Sequence, residues 1–279
     1  MNQQQSHWYP GHMAKAIKAI QTQLKIMDLI IVMVDARAMT ACRSLPLNSQ
    51  KPKLYVVSKT DLADDQLTEQ VINAWLKQGD RVIMTRGEKS SRQAILKSLH
   101  QLGTPLWQKQ ISKGVKPQPL KVMITGVPNV GKSTLINVLA QRHRVATENR
   151  PGSTRGQQWL KLDEQLILLD TPGILPPRYD AALNAQHLAL IGSMPLVNLP
   201  LAELADYLYR VMQLHYPSLL ANQGLTSSDA YFTDYGKKRG WLRADQVEYD
   251  KVYRHFIKAF QDGKLGRISL PLLAHETQP

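Results

Sequence analysis

Cysteine is almost missing from this chain. Its 279 residues include one, Cys42. A lone thiol excludes an internal disulfide and a cysteine-rich zinc site and points to a reducing compartment, so a cytoplasmic protein is expected. Long apolar runs are missing as well. Ile26 to Val34 is apolar apart from Asp28 and is far shorter than the roughly 20 residues that span a bilayer. It reads as a buried strand, and no membrane association is expected. Met1-Asn2-Gln3-Gln4-Gln5-Ser6 has neither a basic start nor an apolar core, so neither a signal peptide nor a transit peptide is expected. No internal repeat or low-complexity tract is visible. Acidic residues are locally scarce: from 105 to 155, Glu148 is the single acid against nine Lys and Arg.

Positive charge is what the chain has in excess. With 35 Lys and Arg against 22 Asp and Glu, the net charge is +13 and the pI near 9.8. A polyanionic partner is expected, with a solubility role for the charge as the bland alternative. The length allows one large core and a second, smaller unit.

The strongest motif is Gly126-Val127-Pro128-Asn129-Val130-Gly131-Lys132-Ser133, which fits G-x-x-x-x-G-K-[ST]. Lys121 to Thr125 before it reads as a short buried strand, and Thr134 to Ala140 after it as the start of a helix. That context matters. Glycines let the backbone wrap phosphate closely, so that successive N–H groups and a helix N-terminus face the anion. Lys132 would reach the β- and γ-phosphates, and Ser133 would hold Mg²⁺.

Two further elements decide which nucleotide. Lys53 to Val57 reads as a strand, which puts Ser58-Lys59-Thr60-Asp61 at its C-terminal end, where open α/β sheets bind ligands. A carboxylate at Asp61 can accept from the N1–H and the exocyclic amine of guanine, while adenine offers neither donor. Lys59 would lay its stem along the purine. The usual first residue of this element is Asn; Ser58 is shorter and cannot make all of its contacts, so lower affinity is expected. The alternative is a plain helix N-cap. Asp170, ending an apolar strand from Leu166, would hold Mg²⁺ through water, and the Gly173 N–H would touch the γ-phosphate. Thr154, between Gly152 and Gly156, is the candidate switch threonine of the Mg²⁺ shell, or else part of a simple turn. Asn129, Val130, Gly131 and Thr134 of the phosphate loop, with Thr85 and Arg86, complete the candidate nucleotide contacts.

The order of these elements is unusual. The base reader precedes the phosphate loop, and Asp170-Thr171-Pro172-Gly173 follows it. In ordinary P-loop GTPases the base reader comes last. The expected fold is therefore α/β, a circularly permuted P-loop GTPase domain with a doubly wound, mostly parallel sheet, followed by a small all-α C-terminal domain.

Trp8 to Ala16, Asp35-Ala36-Arg37, Gly126 to Thr134, Pro151 to Trp159, Asp170 to Ile174, Lys238-Arg239-Gly240 and Gly263 to Ile268 together resemble the YlqF-type permuted GTPases, the ribosome biogenesis GTPase A family. The resemblance covers essentially the whole chain. It departs at Ser58, and at Ala38 to Ser44, where the family usually carries Pro and then Ser-Ser or Thr-Ser before Arg. What it implies is a GTP-hydrolysing factor in late assembly of the large ribosomal subunit, slow alone and stimulated by that subunit. A diverged, non-hydrolysing RNA-associated module is the alternative. A small-subunit permuted GTPase would need an added OB domain and a zinc tail, for which there is no room. His12 corresponds to the family histidine assigned to water activation, a role that Ile174, unable to hydrogen-bond a nucleophile, cannot fill; a turn or rRNA contact is its other reading. Asn129 resembles the phosphate-loop Asn that supports K⁺ in some GTPases.

The motif order sets the expected boundaries: residues 1–175 form the G domain, with 102–119 as the linker joining the old termini, and 176–279 form a helical RNA- or ribosome-binding domain. Loss of the γ-phosphate would then change the pose of residues 185–279. Leu199 to Leu214 and Gln246 to Phe260 read as helices, the second with Tyr249, Val252, Phe256 and Phe260 as its core stripe. Lys251, Arg254 and Lys258 fall on another face. With Lys237, Lys238, Arg239 and Arg243 they are the candidate rRNA contacts, though such a stripe can be only a solvated face. A monomer is expected.

Overall fold

The computed structural model describes residues 22–43, 49–140, 159–170, 182–194, 196–222 and 230–271. They divide into two compact units. One is drawn from 1–34, 44–58 and 75–179, the other from 35–43, 59–74 and 180–279.

The first unit is built on a six-stranded sheet of order β3-β2-β1-β4-β6-β5, with β1 Leu29–Asp35, β2 Lys53–Ser58, β3 Arg81–Met84, β4 Leu120–Gly126, β5 Trp159–Lys161 and β6 Leu166–Asp170. The β1–β4, β2–β3 and β4–β6 pairs are parallel, and the edge strand β5 runs antiparallel to β6. This is a mostly parallel, helix-covered sheet, and its central strands are apolar on both faces: all seven residues of β1 are buried. The strand expected over Ile26 to Val34 begins three residues later. Residues 22–26 are helical (α1) and Ile26 is 55% exposed. The switch falls at Asp28, whose carboxylate accepts from the Lys121 N–H at 2.7 Å while its own N–H donates to the Lys121 carbonyl.

The linker expected over 102–119 is half helix. Of the helices α2 (Met39–Arg43), α3 (Asp65–Lys77) and α4 (Ser91–Ser112), the last carries both Gly103 and Pro105 in its interior, which the sequence presents as breakers. Packing overrides them. Ile95, Leu99, Gly103 and Trp107 recur every four residues as the buried face. Gly103 is needed there, because a Cβ would lie 2.6 Å from the Leu120 side chain. Only 113–119 is irregular, and the Trp107 indole N–H ties it down by donating to the Gln118 carbonyl. The helix α5 (Lys132–Ala140) follows β4.

The second unit is helical: besides α2 and most of α3 it holds α6 (Ala182–Leu190), α7 (Leu201–His215), α8 (Pro217–Ala221), α9 (Tyr231–Lys238) and α10 (Tyr249–Gln261), with a small hairpin of two-residue strands, β7 (Leu242–Arg243) and β8 (Gln246–Val247), before α10. The last helix thus starts at Tyr249 instead of Gln246, because Ala244 and Asp245 take left-handed backbone and turn the chain into the hairpin. Val252, Phe256 and Phe260 are buried as the stripe requires, with Phe256 against Tyr231 and Tyr235 of α9. Tyr249 is not part of it; it is 43% exposed and its hydroxyl pairs with that of Thr233. No described helix is long and apolar enough to cross a membrane.

Candidate nucleotide site

The phosphate loop forms where β4 turns into α5. Gly126 approaches β1 so closely that a Cβ would sit 2.7 Å from the Met33 carbonyl oxygen, so any side chain there would have to move the sheet. Lys132 donates to the carbonyls of Gly126 (3.2 Å) and Val127 (2.8 Å), bracing the loop from within. Asn129, at φ 63°, is exposed, as are Ser133 and Thr134 in the first turn of α5, where the amides have no intrahelical partner. Val130 is fully buried. Asp170 ends β6 in register with Ile124, two residues before Gly126. The exposed Ser133 hydroxyl is a hard oxygen donor of the kind that suits Mg²⁺; the Asp170 side chain lies outside what the structure describes. His12, Thr154 and Gly173 lie outside the described residues.

Ser58 meets this loop. Its Oγ lies 2.8 Å from the Val130 carbonyl oxygen and 3.1 Å from that of Val34, and its single proton serves one or is shared. Short as it is, Ser58 therefore still ties the end of β2 to the phosphate loop and to β1. Thr85 and Arg86 follow β3, next to β2. The Thr85 hydroxyl is buried, accepts from the Gly87 N–H and pairs with Ser91, whereas the Arg86 side chain is exposed. At Gly87 a Cβ would meet Thr134 at 2.9 Å, so this loop reaches the first turn of α5.

Within the second unit, Lys59 takes φ 55° and its ammonium lies 3.0 Å from the Asp35 carboxylate. Asp35 is fully buried and also binds Arg37, at 2.8 Å to Nη2 and 3.0 Å to Nε. Burial alone would raise the Asp35 pKa, but the Arg37 guanidinium and the Lys59 ammonium outweigh it and hold the carboxyl below its usual value. The same burial, with the Asp35 charge nearby, pushes the Cys42 thiol up to about 12, so it is inert. Asp61 is exposed, and its carboxylate makes no hydrogen bond or ion pair with the described side chains.

Residues 121–241 match the family model described as 50S ribosome-binding GTPase. The match starts at β4, after the base-reading element, as a permuted order requires. Ribosome biogenesis GTPase A of Bacillus cereus is 36% identical over 272 residues, covering 94% of this chain and 92% of that protein. The chain belongs to the ribosome biogenesis GTPase A family. Among solved structures, GNP-bound YlqF from T. maritima is 29% identical with a TM-score of 0.66, covering 91% of this chain and 97% of that one. The GDP-bound structure of TM YlqF gives 28% and 0.68, covering 91% and 98%. Against these relatives the fold is a circularly permuted P-loop GTPase domain with a helical C-terminal part.

The basic residues of the helical unit are more tempered than the family resemblance implies. Lys251, Arg254 and Lys258 are exposed, yet each pairs with an acid of the same helical segment: Glu248 (3.7 Å), Asp250 (2.7 Å) and Asp262 (2.9 Å). Exposed pairs of this kind are weak and salt-sensitive, so a phosphate can displace the acid. Lys237 and Lys238 end α9, and the Arg239 guanidinium stacks 3.6 Å from the Tyr235 ring centre. The contacts of Asp35 with Arg37 and Lys59 were not expected from the sequence. Two charges directly after an apolar strand, at its C-terminal end, were the signal.

Proposed function

We propose that the chain binds and hydrolyses GTP as a factor in late assembly of the large ribosomal subunit, with the nucleotide state sensed by the helical domain of residues 176–279. The observation that carries this reading is the phosphate loop built between β4 and α5, tied to the end of the base-reading strand by Ser58 and Val130. Gly131, Lys132 and the α5 N-terminus bind the phosphates, Asn129, Val130 and Thr134 line them, and Lys59 and Asp61 read guanine, with Thr85 and Arg86 beside the base. Mg²⁺, when bound, neutralises charge developing on the phosphates. Ser133, Thr154 and Asp170 would hold it. Gly173 senses the γ-phosphate, His12 orients the attacking water, and Asn129 would hold K⁺, which would supply positive charge where an arginine finger would act.

Phosphate release from GTP by the purified chain, with Lys132→Ala as control, tests the proposal. Release that depends on Lys132 and Mg²⁺ supports it. No turnover from a chain that still binds GTP would leave a nucleotide-binding module. Lys237, Lys238, Arg239, Lys251, Arg254 and Lys258 are proposed to meet rRNA phosphates, with the protein acting as a cytoplasmic monomer.

A further inference from the structure

The loop that carries Asp61 is gripped by the far end of the chain. Arg267 donates from Nη2 to the Thr60 carbonyl at 2.9 Å and from Nε to the Ala63 carbonyl at 2.9 Å, while both terminal nitrogens engage the Asp65 carboxylate. The next residues continue the contact. Ile268 N–H donates to the Leu62 carbonyl (3.1 Å), and the Ser269 hydroxyl accepts from the Asp64 N–H (3.0 Å). Gly263, at φ +73°, packs so tightly that a Cβ would lie 2.6 Å from Leu62 Cδ2. Four of the five residues after Lys59, all but Asp61, thus give a backbone group to one short C-terminal segment.

The Lys59 end of the loop is held by the same stretch of chain through a different route. Asp35 fixes the Lys59 ammonium, Arg37 fixes Asp35, and the free end of the Arg37 fork donates to the carbonyls of Phe260 (3.2 Å) and Gln261 (3.0 Å) at the end of α10. Leu270 N–H closes the circuit on the Arg37 carbonyl at 2.8 Å. A carboxylate that must meet two donors on one edge of guanine has to be held to within a fraction of an ångström, and an exposed loop is not so held unless its peptide groups are tied. Here the ties come from residues about 200 positions away.

We infer that Arg267 is a positioning residue for base recognition, and that the segment 260–271 belongs to the guanine-reading apparatus although it touches no nucleotide. The inference rests on the assignment of guanine to Lys59 and Asp61 above. It places control of base affinity within reach of anything that binds the helical unit and shifts the end of α10; by linkage, guanine nucleotide must then favour the tied state of that segment.

Affinities of the full chain for GDP and IDP test it. IDP has the same phosphates but lacks the C2 amine that Asp61 would accept from. The wild type should prefer GDP by about tenfold or more. Arg267→Ala should reduce that preference by about fivefold while unfolding remains cooperative, and Arg267→Lys, which keeps the charge but not the fork, should fall between. An unchanged ratio, or equal losses for GDP and IDP, would overturn the inference. Should Arg267→Ala fail to fold, Ser269→Ala removes only the Asp64 tie, and about a twofold loss of preference is expected from it; an unchanged ratio in that variant counts against the inference equally. A wild type that does not distinguish GDP from IDP overturns the guanine assignment itself, which is a different result from a selective wild type with an equally selective variant.

Discussion

Ser58 Oγ sits 2.8 Å from the carbonyl oxygen of Val130, so the residue opening the base-reading element is bonded directly to the phosphate loop. Both residues are buried. Removing the hydroxyl leaves the Val130 carbonyl short of a donor and frees the loop on that side. Ser58→Ala is expected to lower stability by about 1 kcal/mol and to weaken GTP binding more than Thr85→Ser, measured by thermal unfolding and by titration with labelled GTP.

Lys132 braces the phosphate loop from within, and in the function proposed here it also meets phosphate. Its bonds to the carbonyls of Gly126 and Val127 are part-buried, so their loss should cost little in the free protein. Lys132→Ala is expected to reduce GTP affinity by about 10–100-fold, with a ligand-free unfolding midpoint close to that of wild type. A variant that unfolds early but binds normally would reverse this assignment.

His187 on α6 is 1% exposed, its Nε2 lies 2.7 Å from the Tyr207 hydroxyl, and burial pushes its pKa down to about 4 from 6.5. Its neutral form is the one that fits the fold. Between pH 6.5 and about 4 the unfolded chain therefore holds the extra proton, and stability falls as pH falls, by about 1.4 kcal/mol per unit at most. Asp35 has the opposite chemistry but loses its contribution only below its ordinary value of 3.8, outside this window. Urea midpoints at pH 7.5 and 5 should fall in the wild type and flatten in His187→Gln.

The lysines and arginine of α10 are paired with acids in its first turn or at its two caps, so the proposed contact with RNA would be an exchange of partners. Lys251→Glu with Arg254→Glu is expected to weaken binding to large ribosomal subunits by about tenfold and to leave GTP affinity unchanged. Co-sedimentation and nucleotide titration on the same preparation check this; a joint fall of both would show that the two surfaces are not separate.

The frame of the nucleotide site was legible in the sequence because phosphate loops are local: Gly126 to Ser133 carries its strand, turn and helix within a few residues, and β2 and β6 each end within a residue of where apolar runs stop. What was not legible depends on distant partners. Gly103 and Pro105 read as a linker because nothing local shows that Leu120 and Trp107 hold the helix together around them. Ile26 joined an apolar run although it is exposed, since the turn at Asp28 is enforced by Lys121, 93 residues on. The ties made by Arg37 and Arg267 were invisible for the same reason: their acceptors at Phe260, Gln261 and Thr60 lie more than 200 residues away.

The measurement that tests the central claim most directly is the rate of GTP hydrolysis in K⁺ buffer by the purified chain alone, with large ribosomal subunits and with small subunits. The account predicts slow turnover alone, strong stimulation by large subunits and none by small ones. Turnover that large subunits leave unchanged, in a chain that binds GTP tightly, would contradict it.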